Sequence, residues 1–391
     1  MTRTLRTAAA CAALAAAGCL AAAPAQAASR PQESTVFAAG TDGYDTFRIP
    51  AVVEAADGDL LAFAEGRRTG AGDTGDIDLV LRRSGDGGRS WGPLQVVGDN
   101  GPNTFGNPVP VVDPATGRVV LLSTHNAGDA HESAIRRGEV DAADSRRVWV
   151  QYSDDDGATW SEPREITAEV KRPDWRWYAT GPVHGIALEE GPHAGRLVVP
   201  ANHSAAPPEG SGDQGDEDAY YGAHLLYSDD GGASWEIGAV DDAYEGEVNG
   251  NETTVAELPG GTIYVNSRDQ NGTAAGTRAS ALSTDGGASL AAPLAPEPEL
   301  TAPVVQGSVL QAERGPLLFA APADPSARRA LTVRASTDGG ESWPRSYRLS
   351  DAPAAYSDLV QLNAATVGVL YETGTAGPYE RIAFHRLRLR P

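Results

Sequence analysis

Four arginines, three acids and one tyrosine stand out because they end otherwise apolar segments or follow them closely. Arg48 lies in Phe47-Arg48-Ile49-Pro50, Arg67 in Glu65-Gly66-Arg67, Glu252 in Asn249-Gly250-Asn251-Glu252, Arg268 in Ser267-Arg268-Asp269 and Glu372 in Tyr371-Glu372, with Asp73, Arg328 and Tyr356 beside similar segments. A guanidinium fork binds a carboxylate through two parallel hydrogen bonds, so an arginine cluster suits a small anionic substrate. A phenol titrates near 10, and only about one in 10⁴ is ionised at pH 6. A nucleophilic tyrosine therefore needs a neighbouring base, which a glutamate can supply. A further carboxyl can protonate a leaving group and then activate water. Taken singly, each residue has a plainer reading. Any one of 30 arginines is more often a surface or salt-bridge residue, and a tyrosine before an apolar strand usually packs in a core or at its rim.

Other motifs carry less. His131-Glu132 lacks the second histidine of H-E-x-x-H, which tells against a zinc peptidase. Residues 210–215 match G-x-G-x-x-G, but Asp216-Glu217-Asp218 follow and would repel a phosphate, so the stretch reads as a loop. No metal site is expected.

The elements that must position these residues show in a repeat. An octapeptide of the form S-x-D-x-G-x-[ST]-[WL] recurs five times, at 84–91, 153–160, 228–235, 283–290 and 336–343. Its Asp and Gly suit a hairpin turn, with side-chain-to-backbone bonds and positive φ. Six apolar strands ending in polar residues interleave with the turns, at 60–67, 119–126, 197–204, 262–269, 316–323 and 367–374. This alternation predicts an all-β, six-bladed β-propeller over 28–391, with the stretch Ser34–Phe37 pairing with a last strand Arg381–Leu389 to close the ring. A loop or short helix is expected around 128–147, and an acidic loop at 205–218. The chemistry is expected where the six polar-ended strands converge.

Residues 1–27 read as a secretory signal peptide: Arg3 and Arg6, an apolar run from Ala8 to Ala23, then Ala25-Gln26-Ala27 as cleavage site. Both cysteines, Cys11 and Cys19, fall in it, so no disulfide is expected in the exported chain. The net charge of −22 argues against nucleic acid or an anionic membrane as a main partner.

FRIP followed by five octapeptides (Asp-boxes) resembles the bacterial exo-sialidases, or neuraminidases, over the whole chain after the leader. The resemblance implies a secreted exo-α-sialidase that releases terminal sialic acids from glycoconjugates with retention, through a tyrosyl intermediate. It implies Asp73, Glu252 and Tyr356 as catalytic residues: acid/base, partner base and nucleophile. It implies Arg48, Arg268 and Arg328 as clamp on the substrate carboxylate, with Arg329 the alternative for the third. Glu372 would hold Arg48, Arg67 would contact a ring hydroxyl, and Asn107 would stand beside the ring where some relatives carry Asp. Glu252 lies sixteen residues before Arg268, Glu372 sixteen after Tyr356, and Asp73 twenty-five after Arg48, as that family's pattern requires. This joint spacing outweighs the plainer single-residue readings. Glycosidases with a tyrosine nucleophile are a known exception to the two-carboxylate rule, and a phenol avoids the repulsion a carboxylate meets at a carbon bearing a carboxylate. No cofactor is implied; the partners are sialylated glycans, without nucleic acid or membrane, and the chain is expected to be a monomer.

Overall fold

Short apolar strands, separated by Gly- and Asp-rich turns, set the architecture. The computed structural model describes residues 32–244 and 246–389; the signal-peptide segment 1–27 lies outside the described residues. The first strand is β1 (Glu33–Ala38). An eight-stranded sheet follows, made of β2 (Thr46–Glu54), β3 (Leu60–Arg67), β4 (Ile77–Ser84), β5 (Gln95–Gly98), β6 (Thr104–Val112), β7 (Val119–Asn126), β8 (Arg147–Ser153) and β9 (Arg164–Glu165). The next sheet has five strands: β10 (Trp175–Thr180), β11 (Ile186–Ala187), β12 (Leu197–Ala205), β13 (Tyr221–Ser228) and β14 (Glu236–Val240). Two four-stranded meanders come after it. The first comprises β15 (Gly250–Leu258), β16 (Thr262–Asp269), β17 (Arg278–Ser283) and β18 (Ala295–Pro296); the second comprises β19 (Ser308–Gln311), β20 (Leu317–Pro322), β21 (Leu331–Ser336) and β22 (Arg345–Arg348). The last sheet joins β23 (Ala354–Asn363), β24 (Thr366–Thr373) and β25 (Arg381–Arg388) to β1, which pairs antiparallel with β25.

The hydrogen bonds thus sort the described strands into five sheets, where the sequence predicts six separate four-stranded blades. The difference has one local cause. β4 and β6 are joined by a single parallel bridge, Ile77 to Thr104, which merges two meanders into one eight-stranded sheet. The contacts among β2, β6, β11, β15, β19 and β23 run in that order and return from β23 to β2. A short helix, α1 (Glu132–Arg137), lies within 128–147, and 206–219 carries neither helix nor strand.

All five octapeptides fold alike, between the third and fourth strands of a meander. In the first, Ser84 Oγ donates to Asp86 Oδ1 (2.9 Å), and the backbone amides of Gly88 and Ser90 donate to Ser84 Oγ and Asp86 Oδ1. Gly88 has φ +81° and no room for a Cβ, which would strike the Phe384 ring. The corresponding Gly157, Gly232, Gly287 and Gly340 face Leu61, Val120, Val198 and Tyr264, and no octapeptide residue lines the pocket described below.

One buried carboxylate binds three segments together near the middle. Asp358 on β23 accepts from the Val52 amide of β2 (2.9 Å), from Ser308 Oγ of β19 (2.8 Å), and from both the amide (3.1 Å) and Nδ1 (2.7 Å) of His184. Burial lowers the His184 pKa, but Asp358 outweighs it and the net shift is upward. Three other buried histidines behave oppositely. Burial holds His125 and His224 down at about 3, and His203 well below the ordinary value. Their unfolded forms bind more protons, so stability falls as pH drops below about 6.5, by up to about 2 kcal/mol each at pH 5 for His125 and His224. His184 keeps its stabilising contribution in that range and loses it only as pH rises. The melting temperature is therefore expected to drop between pH 7 and pH 5; calorimetry showing a flat or rising value would contradict this balance.

Candidate active site

Irregularities in the strands aim the polar residues. β2 shifts register between Arg48 and Ala51, β6 between Gly106 and Val109, β10 between Trp175 and Tyr178, β15 between Gly250 and Thr253, and β23 between Ala354 and Ser357. A bulge bends a strand and re-aims its side chains, and such irregularities recur beside functional sites. Here they fall at or beside Arg48, Asn107, Trp177, Glu252 and Tyr356, all of which line one pocket of 170 Å³. Ile49, within the first bulge, has φ +59°, a strained setting for a β-branched residue. The polar-ended strands supply only part of the site: Arg67 ends β3, Arg268 is near the end of β16, and Glu372 is near the end of β24. The expected convergence of those strands is thus half of the construction; the bulged first strands provide the other half.

Tyr356 and Glu252 are in close contact across the pocket. Tyr356 Oη donates to Glu252 Oε1 at 2.5 Å, and Arg268 Nη1 bonds Glu252 Oε2 (2.7 Å) and lies 3.3 Å from the phenolic oxygen. Burial and then the Glu252 charge drive the Tyr356 pKa far upward, although Arg268, Arg48 and Arg328 pull the other way. The phenol is therefore neutral at rest, with its proton already directed at Glu252.

Arg48 is almost wholly buried. Its Nε and Nη2 bond both oxygens of Glu372 (3.0 and 3.4 Å), and its guanidinium lies 5.0 Å from the Tyr356 ring centre and 4.2 Å from that of Tyr379. Glu372 also accepts from the amides of Ile49 (2.9 Å) and Tyr356 (3.1 Å), so one carboxylate holds both bulges. Arg328 lies 5.6 Å from the Tyr356 ring centre and donates to Tyr379 Oη (2.8 Å). Arg329 turns away, bonds the Asp351 carbonyl, and lines a different depression. Arg328→Ala is accordingly expected to weaken binding of a carboxylate-bearing ligand by at least about tenfold, since charged pairs of this kind are worth about 2 kcal/mol or more. Arg329→Ala should match wild type; titration calorimetry giving the reverse order would move the assignment by one residue.

Asp73 stands at the rim with its side chain 69 % exposed, between Arg67 (2.8 Å) and Arg48 (3.5 Å). Partial burial pushes its pKa up, but Arg67, Arg48 and Arg146 outweigh that and hold it below the usual carboxylate value. Asp76 and Asp78 point elsewhere, to Arg68. Arg67 is committed as well: Glu65 takes its Nε and Nη2, and Asp73 and the Ala71 carbonyl share Nη1. Asn107 lines the pocket, with its Oδ1 accepting from Arg146 Nη1 (2.7 Å) and Thr124 Oγ1 (3.1 Å).

Sequence reasoning missed Glu65 as the anchor of Arg67, as well as Tyr379, Trp177 and Arg146. Arg146 is buried against the Trp177 ring at 4.0 Å, its Nε has no partner, and burial draws its pKa down to about 10. Among the described residues, no group of three or more His, Cys, Asp or Glu gathers as a metal site would require.

The model of the BNR repeat-like domain family matches residues 58–369. The chain is 35 % identical to a sialidase of Micromonospora viridifaciens over 87 % of its own length and 52 % of that protein. It is 32 % identical to an exo-alpha-sialidase of Aspergillus fumigatus over 89 % of itself and 85 % of that protein. It therefore spans about half of the first relative and most of the second. Among solved structures, the Hadza microbial sialidase Hz136 superposes with a TM-score of 0.78 at 28 % identity, covering 91 % of this chain and 68 % of that one. A leech intramolecular trans-sialidase superposes with a TM-score of 0.74 at 19 % identity, covering 91 % and 70 %, and supports the all-β propeller fold. With a matching family model, a relative of this identity and coverage, and this fold, the chain belongs to the sialidase family of hydrolases.

Proposed function

We propose that the protein is an exo-α-sialidase that hydrolyses terminal sialic acids with retention, through a covalent intermediate on Tyr356. The observation that carries this reading is the 2.5 Å contact between Tyr356 Oη and Glu252, ringed by Arg48, Arg268 and Arg328. The three guanidinium groups take the substrate carboxylate and so place the anomeric carbon beside the phenol. Tyr356 Oη bonds to that carbon as its proton passes to Glu252, and Asp73 protonates the departing glycosidic oxygen. The incoming carboxylate offsets the positive charge of Arg48, which lifts Asp73 from its depressed pKa toward a useful acid. Asp73 then takes a proton from water as the water attacks, the phenolate leaves, and Glu252 returns its proton. Two inversions leave the configuration unchanged. Arg67, fixed by Glu65, keeps Asp73 over the leaving group and presents its edge to the ring, as does Asn107.

In this reading the eight-stranded sheet counts as two blades, β2–β5 and β6–β9, joined by one bridge, and the propeller has six. The catalytic unit is 28–391, the octapeptides are Asp-boxes, and the protein is secreted as a monomer that acts on sialylated oligosaccharides, glycoproteins and glycolipids. The test is incubation with sialyllactose followed by NMR. Free sialic acid appearing first as the α-anomer is expected. An anhydro product, a transferred sialoside, a β-anomer or no release would each contradict the proposal.

A further inference from the structure

A second concavity, which shares no lining residue with the catalytic pocket, lies between β22, the outermost strand of its sheet, and the end of β25. Its volume is 1080 Å³ against 170 Å³ for the pocket, room for several sugar units rather than one. Arg345, Arg348, Arg386 and Arg388 line it together with His385 and the half-buried Tyr347, and among the described residues no Asp or Glu does. In a chain with 53 acidic and 31 basic residues this local composition runs against the whole surface. Arg386 is engaged with the Gly87 carbonyl. Arg348 bonds Asp351 at 2.8 Å, an exposed pair with side chains 54 and 78 % accessible, and pairs of that kind contribute little. Arg345 and Arg388 are exposed and make no salt bridge to an acid among the described residues. Arg334, whose register partner on β22 is Ser346, has a buried Nη1 without a partner. Burial, and after it the nearby charge of Arg348, lower its pKa.

We propose that this groove is a second, non-catalytic site that binds an acidic glycan chain, carrying carboxylate or sulfate on its sugars. Charge complementarity selects an anionic polymer. Duplex DNA carries a charge per roughly 1.7 Å and would run past the groove onto a surface of net charge −22, whereas a short acidic glycan is spent within it. The groove lies at the end of β25 that pairs with the start of β24, away from Glu372, so a glycan held there brings chain ends toward the catalytic pocket only where it spans the sheet. The choice of a sialic acid polymer as occupant rests on the sialidase reading; the acidic-glycan class does not.

The experiment uses the full chain carrying Tyr356→Phe, soluble oligosialic acid at low salt, and excess monomeric sialic acid to fill the pocket. Adding Arg345→Ser, Arg348→Ser and Arg388→Ser should weaken binding by at least about tenfold, the scale of losing charged contacts. A control of equal charge change, Arg118→Ser, Arg172→Ser and Arg314→Ser, should not. In the otherwise native chain, the groove variant should turn over an aryl sialoside as wild type does and show a raised KM for oligosialic acid. Unchanged binding in the groove variant, absence of glycan binding, or tighter binding of single-stranded DNA of equal charge would overturn the proposal. Heparin separates the two readings: its loss by the groove variant supports an acidic-glycan groove even if the native protein cleaves no sialoside.

Discussion

Tyr356→Phe should leave a folded protein that turns over an aryl sialoside at least about 10³-fold more slowly, a barrier increase of ~4 kcal/mol. The substitution deletes one oxygen and keeps the ring, which packs with Ile49, Ala355 and Val305 in the adjoining core. Glu252 retains its bond to Arg268, so no carboxylate is left unpaired. Glu252→Gln should also cost about 10²-fold or more, because the neutral amide cannot take the phenolic proton. The double variant should be little worse than Tyr356→Phe alone, since both residues serve one step. Near-normal turnover by Tyr356→Phe would mean that the tyrosine only packs at the rim.

The arginine clamp carries the second large effect. Arg268→Ala should lower kcat/KM by roughly 30- to several-thousand-fold, the range for truncating one partner of a buried charge pair. It should exceed the effect of Arg328→Ala, because Arg268 also touches Glu252 and lies beside the Tyr356 oxygen. Arg48→Ala should add a fall in melting temperature, since it leaves Glu372, fully buried, without its cation. A ligand analogue without the carboxylate should lose far less affinity in each variant. Equal losses for both ligands would show that the arginines act on structure rather than on the substrate anion.

The turns and the main polar residues were legible because their signals are local. Ser84, Asp86 and Gly88 satisfy one another within a few residues, so five copies announce five similar turns. The spacing of Tyr356 and Glu372 follows from β23 and β24 being hydrogen-bonded neighbours. What stayed hidden depends on distant partners. Nothing near Glu65 marks it as the anchor of Arg67 and of the Asn107 amide. Tyr379 meets Arg48 from a segment more than three hundred residues away. Arg146 looks like any of 30 arginines until burial against Trp177 singles it out. The merging of two meanders hangs on one backbone bridge, Ile77 to Thr104, which side-chain patterning does not encode.

Covalent trapping tests the mechanism most directly. Incubation with a fluorinated sialyl donor, which slows breakdown of the intermediate, followed by proteolysis and mass spectrometry, should place one sialyl label on Tyr356. Tyr356→Phe should remain unlabelled. A label on Glu252, Asp73 or any other side chain would contradict the account, as would full turnover of sialosides without a trappable adduct.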